Sequence, residues 1–108
     1  MEARAGHGRV DMPDRRDRFH RLFDAHRADV VAYCRWRAAS PGDAEDAVAE
    51  VFLTAWRRLD DVPGGDGARV WLYATARRAM ANQRRSGRRR AALLDRLAAE
   101  APRAATAD

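Results

Sequence analysis

Ser40-Pro41-Gly42-Asp43-Ala44-Glu45-Asp46-Ala47-Val48-Ala49-Glu50-Val51-Phe52-Leu53-Thr54-Ala55-Trp56-Arg57 is the stretch that decides the fold class of this chain. Ser40 is a helix-capping residue type, Pro41 suits a first turn whose N–H has no partner, and Asp43 stands at the capping-box spacing. From there Ala44, Ala47, Val48, Val51, Phe52, Ala55 and Leu59 recur every three or four residues, the period of an amphipathic helix. Asp43, Glu45, Asp46 and Glu50 crowd the first turns, and Arg57 and Arg58 close the last. That order complements the helix dipole at both ends.

The same reading extends outward. Upstream, Phe19, Leu22, Phe23, His26, Val30, Tyr33 and Cys34 form one stripe, which predicts a helix from about Arg15 to Ala38 or Ala39. Downstream, Asp60-Asp61-Val62-Pro63-Gly64-Gly65-Asp66-Gly67 reads as a loop. A third helix is expected from Ala68 or Arg69, through Val70, Trp71, Leu72, Tyr73, Ala76 and Met80, to about Arg85. Ser86-Gly87 should interrupt it, and Arg88 to Ala99 should form a short further helix bearing Leu93, Leu94 and Leu97. Residues 1–14 have no periodicity and read as a disordered leader, and 100–108 as the start of a linker. No strand pattern and no repeat occurs. The expectation is all-α: one compact bundle of three to four helices over 15–99. At 108 residues, 24 of them alanine, its core is small and leaves little room for an enzyme pocket.

Charge divides the chain. All 21 basic residues are arginine, whose planar fork suits phosphates and bases, although a GC-rich genome would also write arginine by default. Residues 1–68 hold 11 Arg against 13 acids, and residues 69–108 hold 10 Arg against 3. Between Arg77 and Arg90 stand seven arginines and no acid. A front half of net −2 and a back half of net +7 call for two different partners. Cys34 is alone, so no internal disulfide forms and a reducing, cytoplasmic compartment is expected. No run approaches the roughly 18 apolar residues of a membrane span, and no signal-type apolar core opens the chain, so no membrane partner is expected.

Three segments carry recognition chemistry. Leu53 and Trp56 fall beside the inward stripe of the acidic helix, which makes a protein-docking face; the alternative is that Trp56 caps the core above a solvated acidic surface. On the third helix Trp71, Thr75, Arg78, Asn82 and Arg85 share one face, with Leu72, Tyr73, Ala76, Ala79 and Met80 packing opposite. An aromatic, a hydroxyl, an amide and two guanidinia are what single-stranded DNA requires; a core Trp with solvated arginines is the alternative. In the loop, Gly64, Gly65 and Gly67 permit close approach, and Asp61 and Asp66 can accept from a base, yet the Gly-Lys-Ser/Thr ending of a phosphate loop is missing. His20, His26 and Cys34 do not converge on one helix, and the carboxylates at 43, 45, 46 and 50 face no second ligand helix. No metal, cofactor, small-molecule substrate or catalytic nucleophile is therefore expected.

Taken in order, these segments resemble region 2 of the extracytoplasmic-function (ECF) sigma factors, from about Phe19 to Arg90. The resemblance rests on Phe19-His20-Arg21-Leu22-Phe23-Asp24-Ala25-His26, on Asp43 to Val48, on Glu50 to Trp56, and on Trp71-Leu72-Tyr73-Ala74-Thr75-Ala76-Arg77-Arg78. It implies a non-catalytic protein that bridges core RNA polymerase and promoter DNA. Asp43, Asp46, Glu50, Leu53 and Trp56 would grip the clamp helices of the polymerase β′ subunit. Asp61, Gly65, Asp66, Arg69 and Trp71 would capture a base flipped from the minus-ten element. Thr75, Arg78, Asn82, Arg84, Arg85 and Arg88 would hold the non-template strand and adjoining duplex. Melting would be binding-driven, because holding unstacked bases offsets an unstacking cost of a few kcal/mol per step. Two positions depart from the family: Arg78 stands where Asn often follows Ala-Arg, and Asn82 where Asp is frequent, so base preference stays open. The family also carries a helix-turn-helix domain for the minus-thirty-five element, and Asp108 falls where the linker to it would run, so a fragment is expected. An anti-sigma factor is a further implied partner. Two alternatives remain: an interaction module held by such an inhibitor, and a generic Arg-rich helix for RNA or a membrane surface, in which only charge matters.

Overall fold

Residues 12–100 are described by a computed structural model. They form α1 (Met12–Arg37), α2 (Pro41–Arg57), a 3-10 turn (Leu59–Asp61) and α3 (Asp66–Glu100), with no strand among the described residues. The all-α expectation holds, with three helices. Ser40, in extended conformation, caps α2: its Oγ accepts from the Asp43 N–H at 3.1 Å, and Pro41 occupies the first turn. The helix ends where the Arg58 N–H reaches the Thr54 carbonyl at 2.9 Å and the chain tightens into the 3-10 turn.

Cross-helix pairs fix the topology. Asp29 meets Arg69, and Tyr33 stacks on Tyr73 with ring centroids 4.5 Å apart and planes at 9°. One step of four residues on α1 thus matches one on α3, so these two helices run parallel. α2 returns antiparallel to both: Phe52 and Trp56 meet Phe19, and the other end is tied by Gln83 Nε2 donating to the Asp43 carbonyl at 2.9 Å. The core between them is Val30 and Cys34 of α1, Ala44, Ala47, Val51, Phe52 and Ala55 of α2, and Ala68, Leu72, Ala76, Ala79 and Met80 of α3, with Leu59 and Val62 closing one end. Alanine at so many seam positions lets the helix axes approach closely. Phe19, Phe23, Phe52 and Trp56 supply the bulk where the seam widens, with ring contacts between 4.9 and 6.3 Å. Burial pushes the Cys34 thiol above its ordinary range.

The structure corrects four boundaries. α1 already includes Met12 to Asp14; the rest of the expected leader, 1–11, and linker residues 101–108 lie outside the described residues. Because Leu59–Asp61 forms a 3-10 turn and α3 begins at Asp66, the irregular connection shrinks to residues 62–65. Asp66 is an acid in the first turn, favoured there by the dipole, and this moves the start ahead of Ala68. Finally, Ser86-Gly87 does not break α3, which is continuous to Glu100. Glycine keeps its N–H, so it costs a helix only about 1 kcal/mol against alanine, and its Arg, Ala and Leu neighbours are strong helix formers. From Arg84 onward every described side chain is exposed. The second half of α3 therefore projects from the bundle as an arm.

Candidate nucleic-acid and protein interfaces

Asp46, Glu50 and Leu53 lie along one exposed strip of α2, and Leu53 keeps 44% of its surface in water. Thr54 donates its hydroxyl to Glu50 at 3.2 Å, so this carboxylate is oriented but still open. Asp43 sits half-buried at the helix start, where its carbonyl is taken by Gln83. Of the two places expected for Trp56, a free anchor or a cap on the core, the structure shows the cap. Its ring lies edge-on to Phe19 at 5.6 Å, and the Arg15 guanidinium covers it at 4.8 Å while donating to the Trp56 carbonyl at 2.7 Å. The early start of α1 places Arg15 there, and Trp56 is consequently half-buried.

The loop is wired to the same end of α1. Asp60 lies between Arg15 and Arg18 at 3.9 and 3.8 Å, and Arg18 also donates to the Val62 carbonyl at 3.0 Å. Asp61 pairs with Arg58 at 3.1 Å, and the Arg58 guanidinium stands 5.8 Å above the Trp71 ring. Gly65 has φ of +58°, the left-handed conformation that a side chain disfavours, and a Cβ on Gly67 would come within 3.0 Å of the Pro63 ring. Behind the loop is an open cavity of ≈ 340 Å³, lined by Arg18, Arg21, His26, Val62, Gly64 and Gly65 among others. The Nδ1 of His26 is buried without a hydrogen-bond partner. Asp66 is exposed at the α3 N-terminus, and Arg69 reaches Asp29 at 3.9 Å.

On α3 the expected recognition face divides. Arg78, Asn82 and Arg85 are exposed together, and the Arg85 guanidinium donates to the Asn82 side-chain oxygen. Trp71 is half-buried at the margin. Thr75 is a correction: it is 5% exposed, and its hydroxyl donates to the Trp71 carbonyl at 2.9 Å. Its position falls between the core residues Leu72 and Ala79, and threonine can satisfy its hydroxyl on the preceding turn, so it turns inward. Arg84 and Arg88 are exposed on the arm. The two expected surfaces also meet: Asp46 and Glu50 share a groove of ≈ 330 Å³ with Ala79, Asn82, Gln83 and Ser86.

The sequence reading missed Arg15 and Arg18 as supports of the loop, Gln83 as the α3–α2 tie, and Trp36, which is 86% exposed at the end of α1. The first three form contacts at sequence separations of 40 or more, which spacing cannot show. Trp36 carried a signal in its position, since it falls outside the α1 stripe. Among the described residues no helix is long and apolar enough to cross a membrane, and no cluster of three or more His, Cys, Asp or Glu is placed to hold a metal ion.

The model of the family described as Sigma-70 region 2 matches residues 22–90. The chain belongs to the sigma-70 region 2 family. The match takes in α1 from Leu22, all of α2, the loop and α3 to Arg90, and so includes every candidate contact from Asp43 to Arg88. This region 2 chain is 33% identical over 69 residues to the ECF RNA polymerase sigma factor SigG of Mycobacterium tuberculosis, covering 64% of its own length and 19% of that protein. It is 36% identical over 70 residues to the M. tuberculosis ECF sigma factor SigL, covering 62% of itself and 38% of SigL. Against the ECF sigma factor BldN of Streptomyces coelicolor the values are 35% over 73 residues, 67% and 28%. These names agree with the ECF resemblance seen in the residues. The chain thus spans between about a fifth and two fifths of these curated relatives. No solved structure matches it.

Proposed function

We propose that this chain works in transcription initiation as region 2 of an ECF-type sigma factor, joining core RNA polymerase to promoter DNA without catalysing a reaction. Asp46, Glu50 and Leu53 meet the β′ clamp helices, with Asp43 and the covered edge of Trp56 at the rim. The loop from Asp61 to Asp66, held open by Gly65 and flanked by Arg69 and Trp71, receives a flipped minus-ten base. Arg78, Asn82, Arg84, Arg85 and Arg88 follow the non-template strand into the adjoining duplex. Thr75 supports that surface from inside. The one observation that carries the reading is the charge layout: seven arginines from Arg77 to Arg90 lie on one unbroken helix, and none pairs with a carboxylate among the described residues. Crowded like charge of this kind repels itself until an anion arrives, and a phosphate backbone supplies one. Asp46 and Glu50 have no cationic partner among the described residues either, which leaves α2 available to a protein.

The test is co-purification with core polymerase, followed by binding to a minus-ten single strand. Asp46→Arg combined with Glu50→Arg should abolish co-purification. Polymerase ignored while any polyanion binds equally would favour the generic basic reading. A second reading is favoured by Leu93, Leu94 and Leu97, each more than half exposed on the arm: an anti-sigma factor covers the domain. It predicts that an inhibitor co-purifies in place of polymerase and loses its grip with Leu94→Glu.

A further inference from the structure

α3 presents two exposed shoulders, and the surroundings of each differ in sign. The shoulder toward α2 carries Arg78, Asn82 and Arg85, and it adjoins the groove that Asp46 and Glu50 share. A phosphodiester laid along it runs beside two carboxylates that no arginine neutralises among the described residues. The shoulder toward α1 carries Val70, Tyr73, Arg77, Arg84 and Arg88, at spacings that keep them on one stripe. The one carboxylate paired across this seam, Asp29, is already held by Arg69.

Aromatic groups gather on the same shoulder. Tyr33 and Tyr73 stack across the helices, and the Arg37 guanidinium lies 4.8 Å over the Tyr33 ring. Because α1 and α3 run parallel in the register Asp29–Arg69 and Tyr33–Tyr73, the next turn brings Trp36 and Arg37 level with Arg77. Trp36 is 86% exposed, more than any other large apolar side chain among the described residues. A tryptophan face bordered by arginines is the pairing that holds unpaired nucleic acid: bases stack on the ring and guanidinia take the phosphates.

From this we infer that the unpaired strand crosses the α1 shoulder of α3, with a base stacked on Trp36 and its phosphates held by Arg37 and Arg77. The inference rests on the reading that the domain holds unpaired DNA; it adds a stacking residue and narrows the path, moving the unpaired strand off Arg78, Asn82 and Arg85, which are left to the adjoining duplex. An exposed aromatic ring among guanidinia suits a nucleic-acid strand, which supplies both a stacking face and a phosphate at each step.

The experiment measures binding of a fluorescent 20-nucleotide single strand to the full chain, alone and with core polymerase. Variants are Trp36→Ala, Trp36→Phe, Arg77→Gln and, on the other shoulder, Asn82→Ala. Trp36→Ala should weaken binding roughly five-fold or more, the size of one lost base–aromatic stack. Trp36→Phe should retain most of the affinity, and Arg77→Gln should make the salt slope shallower by about 0.7. If Asn82→Ala weakens binding while both α1-shoulder variants bind as before, the strand runs along α2, and the inference fails with the DNA reading intact. If Trp36→Ala loosens polymerase but not the strand, Trp36 is a protein anchor and the inference fails. If the unaltered chain holds no strand in either setting, the DNA reading fails and takes the inference with it.

Discussion

Gly87→Pro would cut α3 at the one place where sequence and structure disagree most. Proline there removes a helical hydrogen bond and clashes with the carbonyl four residues back, a cost of about 3 kcal/mol or more. Nothing from the bundle packs on the arm to offset it, since every described side chain from Arg84 onward is exposed. The segment beyond would have to nucleate anew, with a penalty factor of about 10⁻³, and at 13 residues it stays mostly coil. α1, α2 and α3 hold 26, 17 and 35 residues, and 14 of these lie in 87–100. Loss of those 14 lowers the far-ultraviolet helical signal by roughly 18%. Leu72 and the rest of the core are untouched, so Tm should move by no more than about 1 °C. Arg88, Arg89 and Arg90 point in three directions about the axis, so at most two face one duplex. Their release makes the salt slope for a duplex-bearing probe shallower by about 1 to 2. Circular dichroism and anisotropy across a salt series check both parts. An unchanged helical signal would mean that the helix already ends at Ser86 in solution; a Tm lowered by several degrees would mean that the arm packs on the bundle.

Thr75→Val keeps the shape of a side chain already turned inward, so strand affinity should stay within about two-fold and stability within about 1 kcal/mol; a ten-fold loss of binding in anisotropy would return the hydroxyl to the interface. Gly65→Ala forces a side chain into left-handed backbone, with open space around its Cβ. It should cost about 1–2 kcal/mol in urea unfolding, and a neutral result would show that the loop relaxes freely. Cys34 is buried and its thiol raised above the ordinary value of 9.0, so the folded thiol keeps its proton where the unfolded one loses it. Stability should therefore fall as pH rises past about 9, and alkylation at pH 8 should proceed at the unfolding rate. Alkylation as fast as that of a free thiol would refute the burial.

Most of the bundle was legible because its signals are local. Ser40-Pro41 announced the start of α2, and the inward stripes of α1 and α2 followed from spacing alone. Residues at the margin of a stripe were harder. Thr75 and Asn82 share a face by spacing, yet one seals against the core and the other stays in water, because the seam with α2 passes between them. Spacing alone cannot decide between an open and a covered Trp56, because the residue that covers it, Arg15, lies 41 positions away. Ser86-Gly87 carries the local signal of a break, and the strong helix formers on either side override it. Of the candidate site, the charge segregation was plain in composition, whereas the groove joining Asp46 and Glu50 to Asn82 exists only once α2 and α3 are packed.

The proposed function divides the labour so that α2 serves a protein while α3 and its loop serve unpaired DNA. Its most direct test is the affinity of the polymerase-bound chain for a minus-ten sequence presented as a single strand and as a closed duplex. The expected result is a preference for the single strand of at least about ten-fold, because stacking contacts are open only to unpaired bases. Equal affinity for both forms, or equal affinity whether or not polymerase is present, would contradict it.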